Sequence, residues 1–199
     1  MITGPKYKIC RRLGPGVYEK CQTQKFAASE AGRGKTKRGK ALSDYGIQLL
    51  DKQRIRFSYG LSERQFARYV KEAMASHGSA ADHLFDKIET RLDNTIYRLG
   101  IAHTRALARQ MVTHGHFTVN GKRINVPSYE VKIGDKISIR EGSKNKTLFQ
   151  DLAKKLKGHI NPEWLRLDIE KNVAEVLAHP KMVSGEMLNF PAVIEFYSR

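Results

Sequence analysis

Beyond residue 43 the chain uses two hydrophobic periods, and the first is helical. Ser43 is placed to cap a helix with Ile47, Leu49 and Leu50 inside and Lys52, Arg54 and Arg56 towards water, ending at Tyr59-Gly60. Ser62 and Gln65 have the spacing of a capping box and open a second helix, whose inner side is Phe66, Tyr69, Val70 and Met74 and which closes at Gly78. A third helix is predicted from about Ala81 to Leu99, with Leu84, Phe85, Ile88, Leu92, Ile96 and Leu99 as its core stripe and Gly100 as its stop.

After Gly100 the period shortens. Thr104 can cap a short helix that reaches His114 and ends at Gly115; Phe117 and Val119 then alternate, Asn120-Gly121 supplies a tight turn, and Ile124 and Val126 resume the alternation. Val131, Ile133, Ile137 and Ile139 alternate about a Gly134-Asp135 turn. Farther on, Leu148, Leu152 and Leu156 predict a basic helix over Lys144 to Lys157, Trp164 reads as a core anchor, and Asn172 to Leu177 as a strand. Phe190-Pro191 opens a short apolar helix that must dock on the first domain. Helices followed by short strands make the fold class α+β. Residues 1–43 have no period, carry Gly14-Pro15-Gly16 and Gly32-Arg33-Gly34, and are expected to form an extended arm ordered by a partner.

Charge identifies the kind of partner. The 199 residues carry a net charge of +16, and +9 of it lies in the first 43 residues. Such an excess repels itself unless a polyanion neutralises it, so nucleic acid is the expected partner. No stretch has the apolar length to span a membrane and the amino terminus lacks an apolar secretory core, which points to the cytosol or a similarly reducing compartment. Cys10 and Cys21 are too few for a disulfide framework and are expected to be free thiols.

On the helix from Thr104, Arg105, Arg109, Gln110 and Thr113 fall on one arc, opposite Leu107, Ala108, Met111 and Val112. In the preceding helix Arg91, Asn94 and Arg98 share a face. Taken singly each arginine is a solvated helix charge as readily as a ligand; together they predict a notched basic surface suited to phosphate, which the planar guanidinium grips with two parallel hydrogen bonds. No phosphate-binding glycine loop, HExxH or cysteine with a nearby base is present, so no catalytic set is expected.

The stretches Arg91-Leu-Asp-Asn-Thr-Ile-Tyr-Arg-Leu-Gly100, Thr104-Arg-Ala-Leu-Ala-Arg-Gln110, His114-Gly-His116, Val119-Asn-Gly-Lys122 and Val126-Pro-Ser-Tyr129 resemble the αL RNA-binding module. Together with Ser43-Asp-Tyr-Gly46, Lys52-Gln53, Tyr59-Gly60, Arg64-Gln-Phe66 and Glu195-Phe-Tyr-Ser-Arg199, they make nearly the whole chain similar to the S-four family of small-subunit ribosomal proteins, in its bacterial or organellar form. The resemblance implies a helical domain over 44–90 completed by 179–199, with an RNA-binding domain inserted at 91–178 whose αL core is 91–141. It implies a structural, non-enzymatic protein that binds 16S-type rRNA first, nucleates the body of the small subunit and contributes to translational accuracy. The implied setting is the cytoplasmic ribosome, or the matrix or stroma ribosome of an organelle.

By the same resemblance Arg91, Asn94, Arg98, Arg105, Arg109, Gln110, His114, His116, Asn120, Lys122 and Tyr129 would lie on or beside the RNA. Tyr45, Gln48, Lys52, Gln53, Arg56, Tyr59, Arg64, Gln65 and Arg68, with Arg11 and Arg12, would supply the first domain's rRNA surface. His114 and His116 read equally as helix-end and turn-packing residues, Asn120 is first a turn former, and Tyr45 and Tyr59 read equally as packing residues. Lys35, Lys37, Arg38 and Lys40 occupy the family's place at the messenger-RNA entrance beside two neighbouring ribosomal proteins; their pattern is shifted, and neutralising nearby rRNA phosphate is the favoured role. Some members bind zinc through four cysteines in the arm; with Cys10 and Cys21 alone and no histidine before His77, no metal and no cofactor is expected, nor any small-molecule substrate. An RNA-modifying enzyme would need a separate catalytic domain for which the flanks leave no room, and a DNA-compacting protein is the rival within the binding class.

Overall fold

The structure, a computed structural model, describes residues 4–31, 42–152, 156, 158–168, 171–182 and 188–198. They form two compact units, residues 1–84 with 182–199 and residues 85–181, and the division falls within one helix.

In the first unit α1 (Lys6–Leu13), two 3₁₀ turns and α2 (Gln24–Ala31) precede α3 (Asp44–Ser58), α4 (Glu63–Ala75) and the start of α5 (Ala80–Glu89). Ser43 and Ser62 cap as expected, their hydroxyls accepting from the N–H groups of Gly46 and Gln65. The capping box is half formed, because the Gln65 amide donates to the Tyr69 hydroxyl. Residues 4–31 are not an extended arm: Cys10, Leu13, Val17, Cys21 and Phe26 are buried, and Arg54 on α3 donates to the Leu13 carbonyl at 2.8 Å. Nor are the thiols free. Cys10 and Cys21 form a disulfide across the Gly14-Pro15-Gly16 turn, against Phe26, Tyr7 and Tyr18. A count of two excludes a framework, but the turn folds this pair into one small cluster.

The carboxy-terminal helix, α9 (Phe190–Ser198), packs on α3 and α4, as its apolar sequence requires. This docking inverts part of the expected α3 surface. Lys52, assigned to water, is 7% exposed, with its ammonium paired to Glu63 and lying over the Phe196 and Tyr197 rings, whereas Ile47 and, on α4, Met74 face out. Burial opposes ionisation of Glu63, but hydrogen bonds from Lys52 and Tyr197 and the charges of Lys52 and Arg56 outweigh it and hold the carboxyl below its usual range. Burial and the bond to Glu63 push the Tyr197 phenol up.

In the second unit the expected 81–99 helix is two helices, α5 and α6 (Leu92–Arg98). Arg91 leaves helical geometry to bridge Glu130, with Val131 N–H bonded to the Thr90 carbonyl and Leu92 N–H to that of Tyr129. The apolar stripe continues across the break, which is why periodicity alone does not reveal it. Thr104 caps α7 (Arg105–Thr113) through Leu107 N–H. An antiparallel sheet follows in the order β2-β1-β3-β5-β4, from β1 (Phe117–Val119), β2 (Lys122–Ile124), β3 (Lys136–Ile139), β4 (Leu165–Asp168) and β5 (Val173–Val176). Asn120 and Gly121 both have positive φ, 50° and 79°, the turn that a two-residue hairpin needs. No strand precedes Gly134, and Ile133 is exposed. The predicted basic helix is the short α8 (Glu141–Lys144) followed by turns, so Leu148 points out while Leu152 and Leu156 are buried. Trp164 is buried in the core beneath α6, α7 and the sheet, with Phe117, Ile137 and Phe149.

His116 is 3% exposed, with Nδ1 2.9 Å from the Ser143 hydroxyl and its ring edge-on to Phe149. Burial, then the nearby charges of Lys146, His114, Arg140 and Arg123, hold its pKa below the ordinary 6.5. A depressed histidine gives stability that is complete above its unfolded pKa and is lost as pH falls through that value. Thermal unfolding should therefore show the second unit losing stability between about pH 7.5 and 6, and His116→Gln should flatten that slope; equal slopes would refute a neutral buried ring.

Candidate nucleic-acid interface

Glu89 lies on the apolar stripe of α5, where a carboxylate enters the core and must find cations. It is 1% exposed and accepts from Arg98 Nε at 2.7 Å and Nη2 at 2.6 Å, and from Asn94 Nδ2 at 2.9 Å. Asn94 Oδ1 in turn accepts from Arg105 Nε at 2.8 Å, and that guanidinium lies 4.3 Å from the centre of the Tyr97 ring. A second anchor, Asp93, takes the fork of Arg91 at 3.0 and 2.8 Å and Nε of Arg109 at 2.8 Å. Four arginines on α6 and α7 and the turn before α6 are thus tied to two buried carboxylates.

This corrects the expected display of outward arginines. Arg91 and Asn94 are 3% and 2% exposed, because the break at Arg91 turns its fork onto Asp93 and places Asn94 between Glu89 and Arg105. Arg98, Arg105 and Arg109 are half-buried, each gripped through Nε. A guanidinium has five N–H donors in a fixed plane, so a carboxylate on one edge fixes the direction of the others. Glu89 and Asp93 were missed as functional residues, yet an acid at Phe85–Leu92–Ile96 stripe spacing was a legible signal for the first.

The other predicted residues divide. Gln110, His114 and Lys122 are exposed in the same unit, whereas His116 is interior and Tyr129 packs partly on the core. Asn120 uses its amide within the turn, donating to Asp135 and accepting from Lys136 N–H. In the first unit Arg12, Tyr45, Arg64 and Arg68 are exposed, Tyr45 against the Phe196 ring and Arg68 beside Glu72. Gln48 donates to Glu195, Gln53 accepts from Arg56, Gln65 is bonded to Tyr69, and Arg11 is bonded to Glu30 and Ser29. Lys52 and Tyr59 are buried. Lys35, Lys37, Arg38 and Lys40 lie outside the described residues. Among the described residues no group of three or more His, Cys, Asp or Glu side chains could hold a metal.

Helix pair, hairpin and basic network together define an RNA-binding type of domain, and family comparison gives the same class: the model described as S4 domain matches residues 90–137, and that described as Ribosomal protein S4/S9 N-terminal domain matches residues 1–89. The small ribosomal subunit protein uS4 of Roseiflexus sp. (strain RS-1) is 44% identical over 201 residues, covering 98% of each chain. That of Chloroflexus aurantiacus (strain ATCC 29366) is 43% identical over 201 residues with the same coverage, and that of Acetivibrio thermocellus is 41% identical over 207 residues, covering 99% of this chain and 98% of its own. The chain belongs to the uS4 family of small ribosomal subunit proteins.

If Glu89 anchors the network, Glu89→Gln keeps its shape but removes the charge that Arg98 answers. Denaturant unfolding should show a loss of about 2–4 kcal/mol, the range for breaking a buried pair from one side, whereas a change below about 0.5 kcal/mol, typical of surface substitutions, would show that the carboxylate anchors nothing.

Proposed function

We propose that the chain is a structural, rRNA-binding constituent of the small ribosomal subunit, and that it acts by binding and shaping RNA rather than by catalysis. The observation that carries this reading is a relationship to uS4 proteins spanning nearly the full length, combined with an arginine network on the α6–α7 pair of the S4 domain. The finer reading is that it binds 16S-type rRNA early, at a multi-helix junction, and nucleates the body of the subunit. Its place would be the cytoplasmic ribosome of a bacterium or its organellar counterpart. A-form RNA hides its base edges in a deep groove, so a rigid basic surface reads junction shape and phosphate positions.

In this reading the second unit is the RNA-reading module inserted in the helical unit. Arg98, Arg105 and Arg109 meet phosphate, Gln110, His114 and Lys122 flank them, and Arg91 and Asn94 act from behind. Arg12, Tyr45, Arg64 and Arg68 form the corresponding face of the first unit. The basic run of Lys35, Lys37, Arg38 and Lys40 neutralises rRNA, and neighbouring ribosomal proteins with the messenger-RNA entrance, and with it translational accuracy, are its further setting.

Replacing Arg105 and Arg109 together by alanine should weaken binding to a folded small-subunit rRNA junction by about 10- to 100-fold, the loss of one or two charge-assisted hydrogen bonds. Filter binding at fixed salt measures it. An unchanged affinity in a variant that still folds would sink the assignment.

A further inference from the structure

A cleft of ≈ 650 Å³ opens in the second unit between the α6–α7 connection and the chain around residues 147–162. Tyr97, whose ring lies under the Arg105 guanidinium, lines it, and so does Arg98. His159 helps close it: its ring nitrogen Nε2 is 2.8 Å from the Arg98 carbonyl, and a Cβ on Gly100 would meet the ring at 2.6 Å, so the wall depends on glycine at a φ of +71°. Leu148 and Ile160 also line the cleft, and they are 42% and 92% exposed. Large aliphatic side chains left in water beside a concave site mark a surface that is covered when occupied.

Two features select the occupant. The volume lies within the range of about 300–1,000 Å³ usual for small-ligand sites, enough for one base and its ribose. The cleft also adjoins the arginine network, so whatever fills it combines a flat, largely apolar face with a nearby negative charge. A nucleotide of a folded RNA has both. Sequence-specific contacts to RNA are made largely at unpaired positions, whose splayed bases stack on protein side chains.

We propose that this cleft receives one unstacked nucleobase of the bound RNA, sandwiched against Leu148 and Ile160 with the imidazoles of His103 and His159 at its edge, while Arg98 and Arg105 meet the adjoining phosphates. The proposal rests on the rRNA-binding reading above. It adds a base-specific element to an interface otherwise built for phosphate and shape.

The test uses the full-length protein and a folded small-subunit rRNA junction. Leu148→Ser and Ile160→Ser are neutral changes at exposed positions, so neither alters charge. Their combination should weaken binding by about 5- to 50-fold, the scale of one lost stack, without changing the slope of affinity against salt, because no phosphate contact is lost. One unpaired base protected from chemical modification in the wild-type complex should become reactive in the double variant. Arg105→Ala, by contrast, should lower both affinity and salt slope. If the double serine variant binds and protects like wild type while Arg105→Ala is impaired, the cleft assignment is overturned and the rRNA reading stands; if Arg105→Ala is also without effect, the rRNA reading itself fails. Normal rRNA binding with loss of a neighbouring ribosomal protein from reconstituted subunits would make the cleft a protein seat and overturn the proposal as well.

Discussion

A carboxylate withdrawn from water has to be met by cations, and in the second unit Glu89 and Asp93 impose that demand on the arginines around them. The break between α5 and α6 follows the same logic. By leaving the helix and bridging Glu130, Arg91 brings its fork onto Asp93, and α6 restarts with Asn94 between Glu89 and Arg105. Each guanidinium is then oriented before any ligand arrives. Pre-orientation reduces the side-chain entropy lost on binding, about 0.5–1.5 kcal/mol for each long side chain that would otherwise be immobilised.

Local features of the fold were legible because their causes are local. Ser43, Ser62 and Thr104 cap through their own hydroxyls, and Asn120-Gly121 adopts the positive-φ pair that its sequence favours. What escaped depends on distant partners. The stripe of Phe85, Ile88, Leu92 and Ile96 runs through the α5–α6 break without a missed beat, and only pairing with residues near 130 reveals it. Lys52 looks like a solvent residue until α9 lays two aromatic rings beside it. The order of residues 4–31 rests on a cluster of Cys10, Cys21 and Phe26 with no regular spacing. β4 escaped as well: Leu165 to Asp168 is too short to stand out, and it is fixed by pairing with β5.

For the candidate site, residue types were legible and exposures were not. Period and chemistry picked out Arg91, Asn94, Arg98, Arg105 and Arg109, and the structure brings all five together. It does so around acids that a search for basic surface passes over. A helical projection assigns each side chain to inside or outside, whereas a long guanidinium can reach a buried acid from a flank and keep part of its plane at the surface. Arg98 and Arg109 are in that intermediate position.

The charge of this chain is therefore of two kinds. Part of the excess, concentrated in the first 43 residues, is sequence-positioned and has few acids near it in the chain; attraction from such residues acts mainly through counterion release and decays steeply with salt. The α6–α7 arginines are instead partly neutralised by Glu89 and Asp93, which lowers the raw field they project but fixes where it points. A field that is weaker and better directed contributes less to non-specific attraction and more to discrimination between RNA shapes, since a phosphate in the wrong place finds donors it cannot align with. Buried acids inside a basic face are on this argument a source of selectivity, and the net charge of +16 says more about how strongly the chain is drawn to polyanions than about which one it recognises.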